Sequence, residues 1–513
     1  MKSILIFTVF YLSSILMILS AQSPGSLDIT FGTDGKIQHN TGLKDLLIYQ
    51  SVLKENGSVI VTGKAKETGA SDESVFVAVL KPDGDLDNSF NNTGYRLIDL
   101  QMTEDVGKSL ALQSNGKIVI AGWVHNGANF DIGLIRNNPD GSVDNGFGNS
   151  GKLIINMGST EFGMVVKILP GDKILLVSRR YNGINSDIAL MRFLPDGMTD
   201  TSFGVNGLST MDFSGSHEYP YDCVLLNDGS IVVAGDSEKS GYSVFFAAKF
   251  SKDGVPVSTF GNNGFVAYQV GTDHNGVSSV KVQTDGKIVI GGYAYEGSET
   301  SFALVRLSSD GTPDHTFGSG GSVTTDIRDG SEYISDIMIQ NDGKILVSGV
   351  GRGLVSNSDF AIARYLADGS SDMSFGVNGL VFTDFGNTDM AANILPVSDD
   401  RFMIAGNADN VNLVMARYHN NQPSSSHELI ESIFNIYPNP AKSMVNIKLS
   451  EFGNDPVSIV LKNSEGSSVK LLSAEPLTEE IIQVALPENL PSGTYFISLS
   501  QNQLHVIKKV IVL

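Results

Sequence analysis

The stretch DGKIVIGGYAYEGSETSFALVRLSSDGTPDHTFG, residues 285–318, contains the pattern that decides the fold. The turn Asp285-Gly286 is followed by an apolar run over 288–292, a second apolar run over 302–307, and a closing Phe317-Gly318. Short apolar runs bounded by Gly and Asp predict β-strands. The stretch is therefore interpreted as part of a β-sheet unit.

Two landmarks of this stretch recur along most of the chain with a period of 56 to 59 residues. Repetition at such a period is typical of arrays in which each repeat is one supersecondary unit. Both landmarks give seven copies. The first landmark is a Phe, followed by Gly in every copy except Phe90-Asn91, and falls at Phe31, Phe90, Phe147, Phe203, Phe260, Phe317 and Phe375. The second, a small residue that ends an apolar strand, falls at Gly63, Gly122, Ser178, Gly235, Gly292, Gly349 and Gly406.

Each repeat predicts about four strands, of which the middle two are joined by a tight hairpin. Asn or Asp followed by Gly predicts a turn in which both residues have positive φ. Both faces of the last strand are mostly apolar, as in Phe360 to Arg364, which suits sheets stacked between neighbouring sheets. The sequence therefore predicts an all-β chain with a seven-bladed β-propeller; a parallel β-helix would use shorter coils, and separate sandwiches would use larger units. The turn recurs as Asn56-Gly57, Asn115-Gly116, Asp228-Gly229, Asp285-Gly286 and Asp342-Gly343, whereas repeats three and seven have Gly171-Asp172 and Asp399-Asp400.

The two ends of the array complement one another. The seventh repeat stops at His419 without the turn and Phe-Gly that follow this strand elsewhere, and residues 25–32 supply those elements. We therefore expect N- and C-terminal strands to share the last blade, which removes exposed strand edges. The pattern of 285–318 resembles the delta-60 repeat, whose members are taken to form β-propellers. The resemblance covers residues 25 to about 421 and implies the fold but no activity.

The C-terminal part loses the period after the polar segment 420–426. Three motifs there resemble the C-terminal sorting domain of type IX secretion substrates. The resemblance implies a small immunoglobulin-like β-sandwich recognised by an outer-membrane translocon; an accessory adhesion sandwich is the alternative. The residues that would form the sorting signal are Tyr437, Pro438, Asn439, Pro440, Gly493, Thr494, Tyr495, Lys508 and Lys509.

The N-terminal residues 1–21, with Lys2, an apolar run and small residues before position 22, predict a Sec signal peptide. The predicted domains are thus the signal peptide 1–21, the propeller 22–421, a linker 422–432 and the sorting domain 433–513. No span is predicted in the mature chain, so we expect Sec export to the periplasm and then release or attachment at the outer cell surface. The single cysteine, Cys223, lies in a strand-like run and is expected to be a buried apolar residue.

The composition restricts the function. Among 513 residues, 35 Lys and Arg stand against 56 Asp and Glu, a net charge of −21, which disfavours nucleic-acid binding. The eight histidines are dispersed, are expected at the surface and form no metal-ligand spacing. No hydrolase elbow, nucleotide loop or dinucleotide fingerprint occurs in a strand-to-helix context. The sequence therefore predicts no enzyme, cofactor or metal.

Acidic turns of the form Asp-Gly-x-x-Asp recur in five repeats, as at Asp310 and Asp314. Each offers only two carboxylates, whereas calcium takes six to eight oxygens, so we interpret them as turn caps. Basic residues four positions before this turn form the candidate ligand site, a ring able to hold an anionic ligand such as an acidic glycan. The alternative is structural ion pairing with Asp131, Asp187 and Asp359 of the same strands. The ring residues are Arg136, Arg192, Lys249, Arg306, Arg364 and Arg417, and the first repeat has Val79 there.

These observations favour an exported, non-catalytic binding or structural module. Its expected partners are the type IX translocon and a surface glycan or protein. The alternative is a polysaccharide lyase or glycosidase, for which a clustered pair of Glu or Asp that breaks the repeat would be evidence. Loop residues to inspect for such a site are Glu218, Tyr219, Glu332 and Tyr333.

Overall fold

The computed structural model describes residues 23–100, 103–239, 241–271, 273–328, 330–352, 357–421, 434–437, 441–449, 458–463, 468–473, 481–487, 490–501 and 504–512. The predicted signal peptide and linker lie outside these residues. Within them the regular structure is entirely β-strand, and no helix is long and apolar enough to cross a membrane. The chain divides into two compact units, one of Pro24–Asn421 and one that contains Gln422–Leu513.

The described residues of the first unit form seven four-stranded antiparallel sheets, called blades 1 to 7 in chain order. The first strand, β1 (Lys36–Asn40), belongs to blade 7. From the innermost strand outward, blade 1 is β2 (Lys44–Leu53), β3 (Val59–Lys66), β4 (Ser74–Leu80) and β5 (Tyr95–Ile98); blade 2 is β6 (Asp105–Leu112), β7 (Ile118–His125), β8 (Phe130–Asn137) and β9 (Lys152–Ile155); blade 3 is β10 (Glu161–Ile168), β11 (Ile174–Tyr181), β12 (Ser186–Phe193) and β13 (Leu208–Met211).

The remaining blades have the same order of strands, and the innermost strands contact one another in sequence, with the last contacting β2. The all-β propeller prediction is thus confirmed. Blade 4 is β14 (His217–Leu225), β15 (Ile231–Lys239), β16 (Tyr242–Phe250) and β17 (Phe265–Tyr268); blade 5 is β18 (Asn275–Val282), β19 (Ile288–Glu296), β20 (Glu299–Leu307) and β21 (Ser322–Thr325); blade 6 is β22 (Tyr333–Ile339), β23 (Ile345–Arg352), β24 (Ser358–Tyr365) and β25 (Leu380–Thr383); blade 7 is β26 (Asp389–Ser398), β27 (Arg401–Ala408), β28 (Asn412–His419) and β1.

Blade 7 is completed by the N-terminal residues, as the sequence predicts. Strand β1 pairs antiparallel with β28, from Lys36 opposite Ala416 to Asn40 opposite Asn412. Before it, the Gly25 amide donates to the His419 carbonyl at 2.7 Å. Backbone hydrogen bonds between the two ends therefore close the ring and leave no open edge on β28.

The core lies between the faces of neighbouring blades. Between blades 5 and 6, for example, Phe302 and Leu304 pack with Ile337, Ile345 and Val347, all at most 1% exposed. Full burial of one such side chain stabilises the fold by about 1.5–3 kcal/mol. Every blade thus depends on its neighbours for its hydrophobic contacts.

Cys223 is likewise buried, and burial raises the pKa of its thiol to about 12, which confirms its interpretation as an apolar core residue. The small residue of the second landmark lies within the second strand rather than at its end, as Gly292 does in β19, and its small size has a steric reason. A Cβ on Gly292 would lie 1.9 Å from the carbonyl oxygen of Gly276 in the adjacent first strand. The second landmark is therefore small because the backbones of the first and second strands approach each other closely at this position.

The predicted hairpin turn is wrong in one respect. Gly286 has φ of 85°, but Asp285 is not among the residues of positive φ. The Gly286 amide donates to the Gln283 carbonyl at 2.9 Å, and the Asp285 carboxylate accepts from the Lys287 amide at 3.1 Å. The loop is thus a turn over residues 283–286 in which only the glycine has a left-handed backbone. Such a turn is typical of a hairpin with a three-residue loop, not of the predicted hairpin with a two-residue loop.

The C-terminal unit contains two sheets whose described core includes Val445, Ile447, Ile459, Leu461 and Ile497, all fully buried. Two antiparallel sheets fit the predicted sandwich, while the immunoglobulin-like topology stays a prediction. One sheet has the order β29–β30–β33 and the other β32–β31–β34–β35, with ranges β29 (Phe434–Tyr437), β30 (Met444–Leu449), β31 (Ser458–Lys462), β32 (Ser468–Ser473), β33 (Ile481–Ala485), β34 (Gly493–Gln501) and β35 (Leu504–Val512).

Candidate functional site

The predicted basic ring lies on the third strand of blades 2 to 7, where each cation lies over the ring of the following Phe-Gly landmark. Arg364, for example, has its guanidinium carbon 4.6 Å from the centre of the Phe375 ring. Four of the arginines are 2–7% exposed. The cation and its ring are Arg136 with Phe147, Arg192 with Phe203, Lys249 with Phe260, Arg306 with Phe317, Arg364 with Phe375 and Arg417 with Phe31.

The arginines form ion pairs, but not with the predicted Asp131, Asp187 and Asp359. Four of them pair with the second aspartates of the Asp-Gly-x-x-Asp turns, and Arg417 pairs with Asp28, which stands at the same place, three residues before the landmark Phe31. The correction has a geometric reason: the turn folds back so that the Asp314 amide bonds the Arg306 carbonyl at 2.9 Å, which brings the two side chains together. The Nε-to-carboxylate distances are 2.6 Å for Arg136–Asp144 and 2.8 Å for Arg192–Asp200, Arg306–Asp314, Arg364–Asp372 and Arg417–Asp28.

The first aspartate of each turn acts as the predicted cap. Asp310 accepts hydrogen bonds from the Thr312 amide at 2.9 Å and the Thr312 hydroxyl at 2.7 Å. The second aspartate in three blades also receives a lysine from the hairpin; Lys173 lies 2.8 Å from Asp200. These contacts hold the pKa of Asp200 well below its ordinary value. Ligand binding by the basic ring stays a prediction.

Some positions of the repeat hold a different type of residue in each blade, unlike the positions of the basic residue, the turn aspartates and the landmark Phe. The residue after the small landmark is one of them, and it lies near the end of the second strand. Structural positions have the same residue type in most blades, so a position without such a pattern is the place where one blade can acquire a function. Around the ring this position is Lys64, Trp123, Arg179, Asp236, Tyr293, Val350 and Asn407.

Blades 3 to 5 bring five of the non-repeated residues together in a group that we call the aromatic–arginine cluster: Arg179, Tyr219, Tyr221, Asp236 and Tyr293. The Arg179 guanidinium lies 4.3 Å from the centre of the Tyr219 ring in the next blade. Its Nε donates to the Ser186 hydroxyl at 3.0 Å. Neither Nη nitrogen makes a hydrogen bond or ion pair within the described residues.

An acidic pair lies beside this arginine. Asp236 is directly opposite Tyr219 in the β14–β15 ladder and is 8% exposed. Burial, together with the nearby Glu238, raises the pKa of Asp236 to about 7. The Tyr219 hydroxyl lies 3.4 Å from Glu238. Both acids break the repeat, since the equivalent positions of blade 3 are Arg179 and Tyr181.

The tyrosines complete the cluster. Tyr221 is the residue left bulged between Pro220 and Asp222, and it is 36% exposed. Tyr293 lies so close to the first strand of its own blade that a Cβ on Gly276 would meet its ring at 2.4 Å. Electrostatic interactions with Asp236 and Tyr293 and, above all, burial raise the pKa of Tyr221. The phenol therefore keeps its proton, which it can donate to a ligand.

The innermost strands carry a belt of polar side chains next to their bulges. Lys281 of blade 5 lies 2.8 Å from Asp336 of blade 6 and 3.5 Å from Asp222 of blade 4, so it connects three blades. Lys108 differs: its Nζ lies 4.5 Å from the centre of the Tyr49 ring, and the described residues give it no ion-pair partner. Burial lowers the pKa of Lys108 to about 8.

The four residues singled out for inspection divide into two kinds. Glu218 and Glu332 are fully buried and hold the loop before them; Glu332 accepts from the Ile327 and Arg328 amides at 2.8 and 2.7 Å. Burial raises the pKa of Glu218 to about 8 and of Glu332 to about 7. Tyr219 belongs to the cluster, whereas Tyr333 lies opposite Val350 in blade 6.

The predictions for the histidines and for the sorting residues can also be compared with the structure. His419 is not at the surface as expected but 4% exposed, with Nε2 3.9 Å from Asp28.

Of the sorting residues, Pro438, Asn439 and Pro440 lie outside the described residues. Tyr437 is 43% exposed, and Gly493 and Thr494 begin β34. The Tyr495 hydroxyl donates to the Pro491 carbonyl at 3.0 Å. Lys508 and Lys509 lie in β35, opposite Ile497 and Phe496 of β34.

Sequence reasoning missed Arg179, Asp236 and Tyr293 because it looked for residues that repeat. The signal that identifies them is the opposite one, a departure from the repeat at a fixed place in the second strand. Register then brings them to Tyr219 and Tyr221.

Comparison with protein-family models identifies both parts of the chain. Residues 435–513 match the secretion system C-terminal sorting domain, and residues 113–147, 171–203, 283–317 and 340–375 match a domain of unknown function (DUF5122) beta-propeller. The chain carries DUF5122 β-propeller repeats and a C-terminal sorting domain. The sorting domain implies export by the type IX secretion system to the cell surface or beyond. A search of curated proteins found no match.

Several solved structures resemble this chain in backbone. One is PorZ, a bacterial surface component of the type IX secretion system of Porphyromonas gingivalis, at 10% identity and a TM-score of 0.37, with 91% of this chain covered. The chain spans 59% of the length of PorZ. Others are the polysaccharide lyase Uly1, at 9% identity and a TM-score of 0.44, and a PL25 ulvan lyase bound to a sugar, at 12% and 0.43. The covered shares of this chain and of those chains are 74% and 91% for Uly1 and 75% and 96% for the ulvan lyase.

Proposed function

We propose that the propeller is a non-catalytic glycan-binding module of an exported protein, and that it binds its ligand at the aromatic–arginine cluster. The observation that carries this proposal is the guanidinium of Arg179. It lies on the Tyr219 ring, and its Nη donors have no partner among the described residues. The basic residues of the predicted ring differ, because five of the six are in ion pairs.

The chemistry of the cluster suits a sugar. Ligand sites combine apolar and aromatic surface with a few polar groups that fix the orientation of the ligand. Tyr219 and Tyr221 supply ring surface, and Arg179 supplies paired donors that match a uronate carboxylate or two neighbouring hydroxyls. The cluster joins blades 3, 4 and 5, so one ligand would contact three repeats.

The alternative is a polysaccharide-active enzyme, and one observation favours it. A general acid or base works best with a pKa near the operating pH, and the pKa of Asp236 is raised to about 7. Asp236 lies opposite Tyr219 and breaks the repeat. The binding module is preferred because Asp236 is 8% exposed and receives a backbone hydrogen bond from Val277, so its carboxyl is held inside the blade.

A glycan-array experiment with the full chain tests the proposal. We expect binding to a uronate-containing glycan, and we expect Arg179→Gln to weaken it at least tenfold. Arg328→Gln is the matched control, because Arg328 lies 3.6 Å from the Phe382 ring in another blade and also lacks an ion-pair partner within the described residues. Equal losses in both variants, unchanged binding in Arg179→Gln, or no glycan bound by the wild type would contradict the proposed site. New reducing ends or unsaturated uronate products, lost in Asp236→Asn, would establish the enzyme instead.

A further inference from the structure

A second group of unusual residues lies where one blade is joined to the next. Three positions meet there: the start of the third strand, the residue after the fourth strand, and the start of the next blade's first strand. At the junction of blades 6 and 7 these are Asp359, Asp384 and Asp389. One carboxylate oxygen of each lies within 4.8 Å of those of the other two.

Within the described residues, three carboxylates meet at two of these junctions, that of blades 3 and 4 and that of blades 6 and 7. The equivalent junction of blades 5 and 6 has Ser301 in place of the first acid, and that of blades 4 and 5 has none. The three positions, read from the strand registers, are Ser74, Asp99 and Asp105 for blade 1; Asp131, Asn156 and Glu161 for blade 2; Asp187, Asp212 and Glu218 for blade 3; Val244, Gln269 and Asn275 for blade 4; Ser301, Asp326 and Glu332 for blade 5; Asp359, Asp384 and Asp389 for blade 6; and Asn412, Asn40 and Leu46 for blade 7.

The blade 3 cluster is satisfied by hydrogen-bond donors of the protein. The Asn182 amide donates to both oxygens of Asp187, at 3.1 and 2.9 Å. Asp212 accepts from the Asn185 side chain at 3.2 Å and from the Gly215 amide at 3.0 Å. The carboxylates of this cluster thus have hydrogen-bond donors from the protein itself, including the Phe213 amide and the Ser237 hydroxyl at Glu218.

The blade 6 cluster differs at its buried member. Asp389 is 0% exposed, and its Oδ2 accepts from the Phe385 amide at 2.5 Å. Its Oδ1 is buried and has no hydrogen-bond partner within the described residues. Asn182 stands five residues before Asp187, but Leu354 stands five residues before Asp359, so the sequence supplies no amide donor at that spacing. A buried oxygen without a donor is costly unless a cation compensates it.

The surrounding charges do not compensate the cluster either. The guanidinium of Arg328 lies over the Phe382 ring at 3.6 Å and forms no ion pair within the described residues. The Lys36 amine donates to the backbone carbonyl of Asp384 at 3.0 Å. None of the three carboxylates forms an ion pair within the described residues.

We propose that Asp359, Asp384 and Asp389 bind a calcium ion at the junction of blades 6 and 7. Calcium takes six to eight oxygen ligands, mainly carboxylates, carbonyls and waters. The three carboxylates supply the protein side of this shell. Asp384 is exposed, so waters can complete it and the ion can enter from solvent. Bound calcium would tie the last blade to the sixth, next to the closure of the ring. The site is independent of the aromatic–arginine cluster in blades 3 to 5.

Calorimetric titration of the full chain, stripped with a chelator, with calcium chloride tests this proposal. We expect one site per chain, and we expect Asp384→Asn to weaken binding at least tenfold. The asparagine keeps an acceptor for the Gly386 amide, which Asp384 Oδ1 binds at 2.7 Å, so the fold is expected to persist. Asp326→Asn in blade 5 and Asp212→Asn in blade 3 are the matched controls and should bind calcium like the wild type.

Thermal unfolding gives a second readout, because an ion that binds only the folded state raises its stability. Calcium should raise the unfolding midpoint of the wild type and of both controls but not that of Asp384→Asn. No binding of calcium by the wild type would overturn the proposal. Binding that survives in Asp384→Asn, or that is lost equally in Asp326→Asn or Asp212→Asn, would overturn it as well.

Discussion

Replacing Arg364 by leucine separates a structural role of the basic residues from a ligand-binding role. Arg364 is 2% exposed and bonds Asp372 through Nε at 2.8 Å. Its Nη1 donates to the Asn420 carbonyl, and its guanidinium lies over the Phe375 ring. The side chain therefore connects its own blade to the last residues of the propeller.

The size of the effect follows from the acid that remains. Without Arg364, the Asp372 carboxylate is left 5% exposed with only the Ser374 amide and hydroxyl as donors. Removing one partner of a buried ion pair costs about 3–5 kcal/mol, whereas replacing both partners by apolar residues is much less costly. We expect Arg364→Leu to lower the free energy of unfolding by about 3–5 kcal/mol. The double variant Arg364→Leu with Asp372→Val should recover at least half of that loss.

Blade 4 supplies a natural control. Lys249 occupies the arginine position there, and Val257 occupies the place of the acid, with its amide bonded to the Lys249 carbonyl at 2.9 Å. Lys249→Leu should cost about 1 kcal/mol or less, since only a cation–π contact is lost. Urea denaturation followed by circular dichroism measures all three variants. An Arg364→Leu protein of unchanged stability that loses glycan binding would refute the structural reasoning and support the basic ring as the ligand site.

Three further perturbations test other parts of the structure. The pKa of Glu218 is 4.5 in its ordinary state and about 8 in the folded protein, so between these values the folded protein keeps a proton that the unfolded chain has lost. The contribution of Glu218 to stability is therefore full below about pH 4.5 and is lost as the pH rises towards 8. The midpoint of thermal unfolding should fall over this range, and it should fall less in Glu218→Gln. Lys108 has a pKa of about 8, whereas two aspartates raise the pKa of Lys281. Lys108 should therefore react faster than Lys281 with amine acylating reagents at neutral pH, and peptide mass spectrometry measures both rates. Asp28→Ala removes the fully buried carboxylate that pairs with Arg417 across the closure, so we expect a loss of about 3 kcal/mol in urea denaturation and faster proteolysis of the N-terminal strand; unchanged values would show that the backbone hydrogen bonds alone close the ring.

The fold could be predicted from the sequence because its determinants repeat. The Phe-Gly landmark packs under a cation in six blades, and the small residue before Tyr293 or Asp236 marks the close approach of two strands. Closure could be predicted for the same reason, since the missing part of the last repeat is visible at the start of the chain. The turn was predicted less well, because Asp-Gly suits both hairpin types and only the backbone of Asp285 separates them.

The ion-pair partners could not be predicted, because Asp187 and Asp200 lie at similar distances along the chain from Arg192. Only the fold of the turn decides that Asp200 is the partner. The aromatic–arginine cluster is harder still, since Arg179 and Tyr219 are 40 residues apart and belong to different blades. Their contact depends on how neighbouring blades are placed around the ring.

The repeated and the non-repeated residues therefore have different roles. In the repeat, each of the five arginines has an acid and an aromatic ring beside it, so the charges at these five places are already compensated. A ligand that used Arg306 or Arg364 would compete with Asp314 or Asp372 for the same donors, at the cost of breaking a buried pair. Arg179 forms no such ion pair within the described residues, although Asp236 lies nearby, and the equivalent place in other blades holds residues as different as Trp123, Tyr293 and Val350. A repeat protein can change such a position in one blade without weakening the others, and this is the physical reason to look for its function where the pattern fails.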